Sequence, residues 1–518
     1  MINANKNTIE LYIHIPFCVK KCFYCDFLSF RALAADHEAY VDQLVREIRA
    51  RGAFCSELTV STVFIGGGTP TVMEPELIRR IMEAVKENFT LEPDAEITIE
   101  ANPGTLLYNK LPVYHDCGIN RVSIGLQSAD NQELKNLGRV HSFEEFLKSY
   151  QSARMSGFTN ISVDLMSGIP GQTLESWKNT LKKVTMLKPE HISAYSLIIE
   201  QGTPFWEQYG PGMGGCRREN VLPLPDEDTE NRIYHLTRDF LGEMGYQRYE
   251  ISNYAKPGKE CRHNIGYWTE VSYLGLGLGA SSYMDGCRFS NEKDLRRYLA
   301  LDLEHDCGEG LRELAGPVEQ LSREARMEEF MFLGLRMTRG VSEMDFVRLF
   351  GVKMETVYGA VIERLMANGL LKKEGVWLSL TEWGMDVSNF VLSEIFVVLE
   401  KGAYVWGNIS WLWMRGLPAA AASCLIRTGR SAALLRRNLP SIFQNPAGWS
   451  MTPMKSGRLS WEWQWKLCQR LAPRLAILLL LASPTRGRQP LYGIRLPESP
   501  LVRQSCGSAV GLRLIATN

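Results

Sequence analysis

The sequence predicts an α/β protein with parallel strands, followed by a small module of a different type. From residue 9 to about 200, short apolar segments alternate with amphipathic ones, which indicates strands joined by helical crossovers. Polar or glycine-rich residues follow the ends of successive strands, where folds of this class place their active sites. Residues 323–395 then change to a helix-and-hairpin pattern that is typical of a winged helix.

Six segments predict strands, because they are rich in Ile, Val and Leu and are bounded by turn residues, as strands covered on both faces are. They are Leu11–Ile15, Thr62–Ile65, Glu96–Ile99, Arg121–Leu126, Ile161–Leu165 and His191–Leu197. The segments between them have helical periodicity. One such pattern places five apolar residues on one helical face: Leu77, Ile78, Ile81, Met82 and Val85.

The winged-helix-like pattern carries little positive charge on its third helix. That helix is predicted at Met354–Asn368 and contains Glu355 and Glu363 beside Arg364. Binding to phosphates requires a basic surface, so we expect no nucleic-acid partner for this module. The other elements predicted here are Arg323–Met337, Ser342–Phe350 and the hairpin Leu370–Leu380.

The net charge of zero conceals two differently composed parts. Residues 397–518 hold 16 Lys and Arg, 3 Asp and Glu, and seven of the twelve tryptophans, whereas residues 1–396 hold 42 basic and 55 acidic residues. This basic, Trp-rich tail has no stable hydrophobic period. A tail that binds RNA or acidic lipid is one interpretation. We favour an accidental extension, such as out-of-frame translation.

Composition and the N-terminus predict a cytoplasmic protein. No run of apolar residues reaches the length of a membrane span, and Met1–Glu10 lacks the apolar core of a secretory signal. Peripheral contact with a membrane stays open. In the cytoplasm thiols remain reduced, so cysteines tend to serve metals or catalysis.

Three of the twelve cysteines, Cys18, Cys22 and Cys25, lie in one loop directly after the first strand. Structural zinc and ferredoxin sites normally use four ligands. Three thiolates would leave one iron of a [4Fe–4S] cluster open to the amino and carboxylate groups of S-adenosylmethionine, whose reductive cleavage gives a 5′-deoxyadenosyl radical. A zinc site completed by a distant residue is the alternative, and Tyr24 and the glycine-rich end of the second strand argue against it.

That glycine-rich end, Gly66–Thr69, fits the same hypothesis, because backbone without side chains allows the methionine part of the cofactor to approach closely. Glu100 is a candidate acceptor for the ribose hydroxyls. Three further residues offer polar contacts to the cofactor: Gln127, Arg139 and Asp164.

Nine motifs resemble those of the oxygen-independent coproporphyrinogen III oxidases and their relatives, which are radical SAM proteins. The resemblance covers residues 9–396 and implies a partial (β/α)₆ TIM-like radical SAM barrel with a C-terminal winged-helix-like α+β domain. It also implies that Tyr12, Gly67, Gly68 and Thr69 contribute to cofactor binding. The motifs are Tyr12–Phe27, Gly66–Thr71, Ile99–Gly104, Ser123–Gln127, Leu137–His141, Val163–Pro170, Tyr249–Asn253, Arg262–Trp268 and Leu274–Gly279.

Within that group the resemblance is to the HemW-like branch, whose members are regarded as haem chaperones. The oxidases carry a fourth cysteine where this chain has Phe27, and a longer segment before the cluster. His263, in a motif with Tyr267 and Trp268, is a candidate haem ligand. The resemblance implies delivery of haem to an apo-haemoprotein. The alternative is decarboxylation of coproporphyrinogen III to protoporphyrinogen IX.

The implied partners are haem, a recipient apo-haemoprotein and an electron donor such as flavodoxin or ferredoxin. The predicted domains are a radical SAM barrel at 1–235, a connecting segment at 236–310, a winged-helix-like domain at 311–396 and the tail at 397–518.

We predict that the tail is dispensable, because it lies outside the resemblance and has no core-facing pattern. A chain truncated after residue 396 should assemble a cluster and bind S-adenosylmethionine as the full chain does, measured by iron content and by equilibrium binding. A truncated chain that does not fold or load iron would contradict this prediction.

Overall fold

A parallel sheet forms the centre of the protein, and its main strands follow chain order. The computed structural model describes residues 7–210, 221–305 and 307–396. All six predicted strands are confirmed, and each pairs in parallel with the next. Their bounds are β1 (Thr8–Ile15), β2 (Thr59–Gly67), β3 (Thr90–Ala101), β4 (Arg121–Gln127), β5 (Ile161–Ser167) and β6 (His191–Ser196).

Helices connect these strands and share one hydrophobic core with them. The five apolar residues predicted on one helical face, from Leu77 to Val85, are all buried. The predicted α/β class is therefore confirmed. The helices are α1 (Ala34–Phe54), α2 (Pro75–Asn88), α3 (Leu111–Asp116), α4 (Asn131–Asn136), α5 (Phe143–Met155), α6 (Leu174–Met186), α7 (Pro204–Tyr209) and α8 (Glu227–Glu243), with a 3₁₀ turn at Pro70–Val72.

Six further strands widen the sheet on both sides. The sequence pattern does not predict them, because each has only two to four residues and shows no periodicity. They are β7 (Gln247–Arg248), β8 (Asn253–Ala255), β9 (Tyr273–Leu276), β10 (Ser281–Met284), β11 (Cys287–Ser290) and β12 (Glu319–Gln320). The order is β12-β11-β10-β9-β1-β2-β3-β4-β5-β6-β8-β7. Strand β9 is parallel to β1, so the parallel part of the sheet continues beyond the predicted six strands.

Three helices belong to this second part of the chain: α9 (Arg262–Trp268), α10 (Leu295–Ala300) and α11 (Cys307–Leu314). Helix α9 packs closely against β1. A Cβ atom on Gly266 would overlap the carboxylate of Glu10. Glu10 is 2% exposed, and burial followed by the charge of Glu96 raises the pKa of its carboxyl well above the usual range. The uncharged acid is therefore favoured at this contact.

The C-terminal module has its own hydrophobic core, which includes Met331, Phe346, Tyr358 and Leu380. Its three-stranded sheet has the order β13-β15-β14. The predicted helices and hairpin are present, and Ser342 caps the second helix by accepting a hydrogen bond from Asp345 N. The elements are α12 (Arg323–Gly334), β13 (Val341–Ser342), α13 (Glu343–Phe350), α14 (Met354–Ala367), β14 (Leu371–Glu374), β15 (Trp377–Leu380), α15 (Glu382–Asp386) and α16 (Ser388–Phe396).

The predicted tail at 397–518 lies outside the described residues. Among the helices that the structure does describe, none combines the length and the apolar composition needed to cross a membrane.

The contact between α9 and β1 predicts that Gly266→Ala destabilises the fold. The added methyl group must displace the buried carboxylate of Glu10, and overpacking of this kind costs about 1–3 kcal/mol. Denaturant unfolding measures the change in the free energy of unfolding. The matched control is Gly242→Ala in α8, where no heavy atom lies within 4 Å of the added Cβ. That variant should be neutral or slightly stabilised. Equal effects of the two substitutions would contradict the prediction.

Candidate functional site

The three cysteines lie in a loop that is closed at its base. Cys18 N donates to Phe30 O at 3.0 Å, and Phe30 N donates to Pro16 O at 2.9 Å. The ring of Phe17 is fully buried and meets the ring of Phe30 edge-on, with 5.7 Å between centroids. The loop therefore starts from a fixed point at the end of β1, while the three cysteines on it are partly exposed and form no disulfide.

The end of β2 packs directly on this base. Gly68 N donates to Ile15 O at 2.8 Å, and Thr69 N donates to Phe17 O at 2.7 Å. A Cβ on Gly68 would lie 2.6 Å from Phe17 O, and one on Gly67 would overlap the ring of His14. Gly67 also has φ +110°, which side chains rarely adopt. Glycine is therefore required here by the protein's own backbone, before any ligand is considered.

This packing places Thr69 beside the first cysteine and starts a chain of hydrogen bonds. Thr69 Oγ1 lies 3.4 Å from Cys18 Sγ and accepts from Asn102 Nδ2 at 2.6 Å. Asn102 Oδ1 accepts from Arg139 Nη2, and Arg139 Nη1 lies 3.6 Å from Cys22 Sγ. Arg139 is fixed by a further bond to Gly125 O at 2.6 Å. Two of the three cysteines are thus joined through three polar side chains.

Carboxylates form the next part of the site, on β3 and β5. Glu100 Oε2 accepts from Gly67 N at 3.0 Å. Burial, and then the negative charge of Asp164, raise the pKa of Glu100 to about 7. Asp164 accepts from Ser123 Oγ at 3.0 Å, and burial raises its pKa as well. Glu100 therefore changes its charge near neutral pH.

The structure brings eight of the nine predicted cofactor residues to the edge of the sheet that carries the cysteine loop. They come from the C-terminal parts of β1 to β5 and from the loops that follow. Gln127, the last residue of β4, has φ +73°. The eight are Tyr12, Gly67, Gly68, Thr69, Glu100, Gln127, Arg139 and Asp164.

Two residues at this edge, His14 and Asn102, were missing from the predicted set. His14 Nε2 donates to Leu28 O in the cysteine loop at 2.9 Å, so its Nδ1 accepts from Tyr12 Oη at 3.0 Å. Burial lowers the pKa of His14, which keeps the ring neutral. Both residues belong to motifs noted in the sequence. The sequence signal for both is the same: a polar residue that lies within a buried strand or directly follows one.

The ninth residue, His263, lies in the interior on α9. It is 1% exposed, its Nδ1 lies 2.6 Å from Thr62 Oγ1, and its Nε2 lies 3.0 Å from Tyr267 Oη. Its ring stacks on Phe64 with centroids 5.0 Å apart. Burial, and then the positive charge of Arg121, lower the pKa of His263 to about 3. The ring is thus neutral, and both of its nitrogens already have partners.

The cysteine loop suits a cluster better than a single metal ion. In the part of the chain that the structure describes, no three His, Cys, Asp or Glu side chains converge as the ligands of one ion do. A [4Fe–4S] cluster instead takes each cysteine on a different iron. A small cleft beside the loop has Cys22, Thr69, Asn102 and Arg139 in its lining, so polar side chains lie next to the thiols. The residues present therefore fit a cluster with an adjacent ligand.

Comparisons with known proteins agree with this geometry. The family model of the radical SAM superfamily matches residues 12–184, and that of the HemN C-terminal domain matches residues 321–387. The protein named "Heme chaperone HemW" from Lactococcus lactis is 36% identical over 387 residues, which cover 74% of this chain and 97% of the relative. The protein of the same name from Escherichia coli is 34% identical over 391 residues, covering 75% of this chain and 98% of the relative.

The chain belongs to the HemW family of radical SAM proteins.

A solved structure supports the fold of this HemW-family chain. Coproporphyrinogen III oxidase (HemN) from Escherichia coli has a TM-score of 0.65 and 24% sequence identity, covering 77% of this chain and 91% of that chain. At this identity the likeness shows a shared fold. The two matched family regions contain the cysteine loop, all eight residues at its edge of the sheet, and most of the C-terminal module.

For the HemW-family site we predict that Cys18, Cys22 and Cys25 are all required for a cluster. Replacing any one by Ala should abolish the electron paramagnetic resonance signal of the reduced, reconstituted [4Fe–4S] cluster, because no neighbouring thiol can substitute. Cys55→Ala and Cys117→Ala are the controls, since both thiols are buried at the ends of α1 and α3. Loss of the signal in either control would show that the three-ligand assignment is wrong.

Proposed function

We propose that this protein holds a [4Fe–4S] cluster on Cys18, Cys22 and Cys25, binds S-adenosylmethionine beside it, and delivers haem to apo-haemoproteins. The carrying observation is the match to the HemW relatives over 97% and 98% of their own lengths. Both relatives are named heme chaperones. The arrangement of the cysteine loop and the cleft beside it supports the cofactor part of the proposal.

The chain's own residues would bind and orient S-adenosylmethionine. Backbone at Gly67 and Gly68 offers a close approach for its methionine part. As a carboxylate, Glu100 would accept hydrogen bonds from the ribose hydroxyls, and its pKa of about 7 makes that interaction stronger at and above neutral pH. Gln127, Arg139 and Asp164 would provide further polar contacts. When bound, the cluster would supply an electron for cleavage of a carbon–sulfur bond of S-adenosylmethionine.

Reduction of the cluster requires an external donor, and we propose a small carrier such as flavodoxin or ferredoxin. Lys20 and Lys21 are exposed on the cysteine loop, next to Val19, which is 51% exposed. A basic surface with an apolar residue suits an acidic electron carrier, because opposite charges steer the encounter.

Haem ligation by His263 would require a local rearrangement. In the described conformation its two nitrogens contact Thr62 and Tyr267, and the ring is buried. For Nε2 to reach iron, the bond to Tyr267 must break and α9 must move from β2. We therefore propose His263 as a ligand that becomes available on opening of α9.

Phe27 favours haem binding over the oxidase alternative. It stands where the oxidases that this chain resembles carry an additional cysteine, and its side chain is 63% exposed. The loop therefore offers no sulfur at that position. We expect no conversion of coproporphyrinogen III to protoporphyrinogen IX.

Haem titration tests the proposal. The wild type should shift the Soret band, because imidazole ligation changes the electronic structure of haem iron, and His263→Ala should weaken binding. Tyr267→Phe keeps the imidazole but removes the hydroxyl that occupies Nε2, so it should bind haem as tightly as the wild type or more tightly. His191→Ala is the matched control, because His191 is also buried between two hydroxyl groups, at 2.8 Å each.

Two results would contradict the proposal. Equal loss of haem binding in the His263 and His191 variants would show that His263 acts only through the stability of the fold. Formation of protoporphyrinogen IX from coproporphyrinogen III by anaerobic, reduced protein with S-adenosylmethionine would instead support the oxidase alternative.

A further inference from the structure

Two of the three cysteine sulfurs in the loop have a polar side chain directed at them. Thr69 Oγ1 is 3.4 Å from Cys18 Sγ, and Arg139 Nη1 is 3.6 Å from Cys22 Sγ. These two side chains lie on different loops. What holds both of them is Asn102, which bonds to Thr69 and to Arg139.

The chemistry of these groups decides which atom donates and which accepts in the hydrogen bonds that Asn102 makes. Arginine can only donate, so the atom of Asn102 that faces Arg139 must be the carbonyl oxygen. The amide nitrogen of Asn102 therefore faces Thr69 and donates to its hydroxyl oxygen at 2.6 Å. A cysteine bound to the cluster as a thiolate has no hydrogen, so the hydroxyl of Thr69 would donate to Cys18 Sγ. Asn102 thus holds the hydroxyl in position while leaving its hydrogen free for that bond.

Arg139 places a full positive charge beside the cysteine loop, close to Cys22. Within the described ranges it forms no ion pair with a carboxylate, and its buried Nε has no hydrogen-bond partner. A guanidinium keeps its positive charge at physiological pH, and Nη1 of Arg139 lies 3.6 Å from Cys22 Sγ.

We propose that Asn102 is a positioning residue that raises the reduction potential of the cluster by holding Thr69 and Arg139 as donors to Cys18 and Cys22. The proposal rests on the cluster assigned above. Hydrogen bonds and positive charge at the cysteine sulfurs stabilise the reduced state more than the oxidised one, because the reduced cluster carries one more negative charge. Without Asn102, the hydroxyl of Thr69 can rotate away and the guanidinium of Arg139 loses an oxygen acceptor.

The test uses full-length, anaerobically reconstituted protein and two different substitutions. Asn102→Ala removes the central residue, and Thr69→Val removes only the hydroxyl while keeping a similar shape. Both variants keep three cysteines, so each should take up iron as the wild type does. Redox titration followed by electron paramagnetic resonance should give a more negative midpoint potential in both, with a larger change for Asn102→Ala. Thr69→Ser, which restores the hydroxyl, should return the potential towards the wild-type value.

A matched control separates this effect from general loss of stability. Asn120 accepts from Ile97 N at 2.9 Å and donates to Ala95 O at 2.8 Å, in the middle of β3. Asn120→Ala therefore breaks two structural hydrogen bonds of an asparagine that lies away from the cysteines. It should lower the melting temperature and leave the midpoint potential unchanged.

The outcomes distinguish this proposal from the one on which it rests. A wild type that takes up no cluster would contradict the proposed function, and this inference with it. A loaded wild type whose Thr69→Val and Asn102→Ala variants have unchanged potentials would overturn only the role of Asn102. If Asn102→Ala does not fold, the pair Thr69→Val and Thr69→Ser decides the question alone.

Discussion

The backbone contact between the end of β2 and the base of the cysteine loop is the constraint on which the rest of the site depends. Two hydrogen bonds, from Gly68 to Ile15 and from Thr69 to Phe17, bring the ends of β1 and β2 together. The closeness of that contact leaves no room for a side chain at Gly68. It also places Thr69 Oγ1 3.4 Å from Cys18 Sγ, so this contact of the first cysteine depends on how the two strand ends pack.

Beyond that contact, hydrogen bonds connect residues of neighbouring strands and of the loops that follow them. Asn102 follows β3, Gly125 lies in β4, and Arg139 follows α4 and reaches back to both. These groups are partly shielded from water, which strengthens each hydrogen bond and makes an unmatched polar group costly. The site is therefore a connected network, in which the loss of one member is expected to change the position of its neighbours.

A second contact region, around helix α9, joins the main sheet to the C-terminal module. Helix α9 contacts Glu10 through Gly266 and places His263 against Phe64. On its other side the guanidinium of Arg336 lies 4.5 Å from the ring of Trp268, and Thr338 N donates to Tyr249 O at 3.0 Å. Any movement that exposes His263 must therefore also disturb contacts with the module.

The sequence by itself determined the six main strands, the cysteine ligands proposed for the cluster and most residues at the cysteine edge, because spacing and periodicity are local properties of the chain. Only the tertiary structure decided how those residues bond to one another. Asn102 could not be recognised as the link between two cysteines, since its partners come from other loops. The burial of His263 was likewise invisible, because Thr62 and Phe64 approach it from a strand far away in the sequence. Such contacts arise from packing between distant segments, which no local pattern encodes.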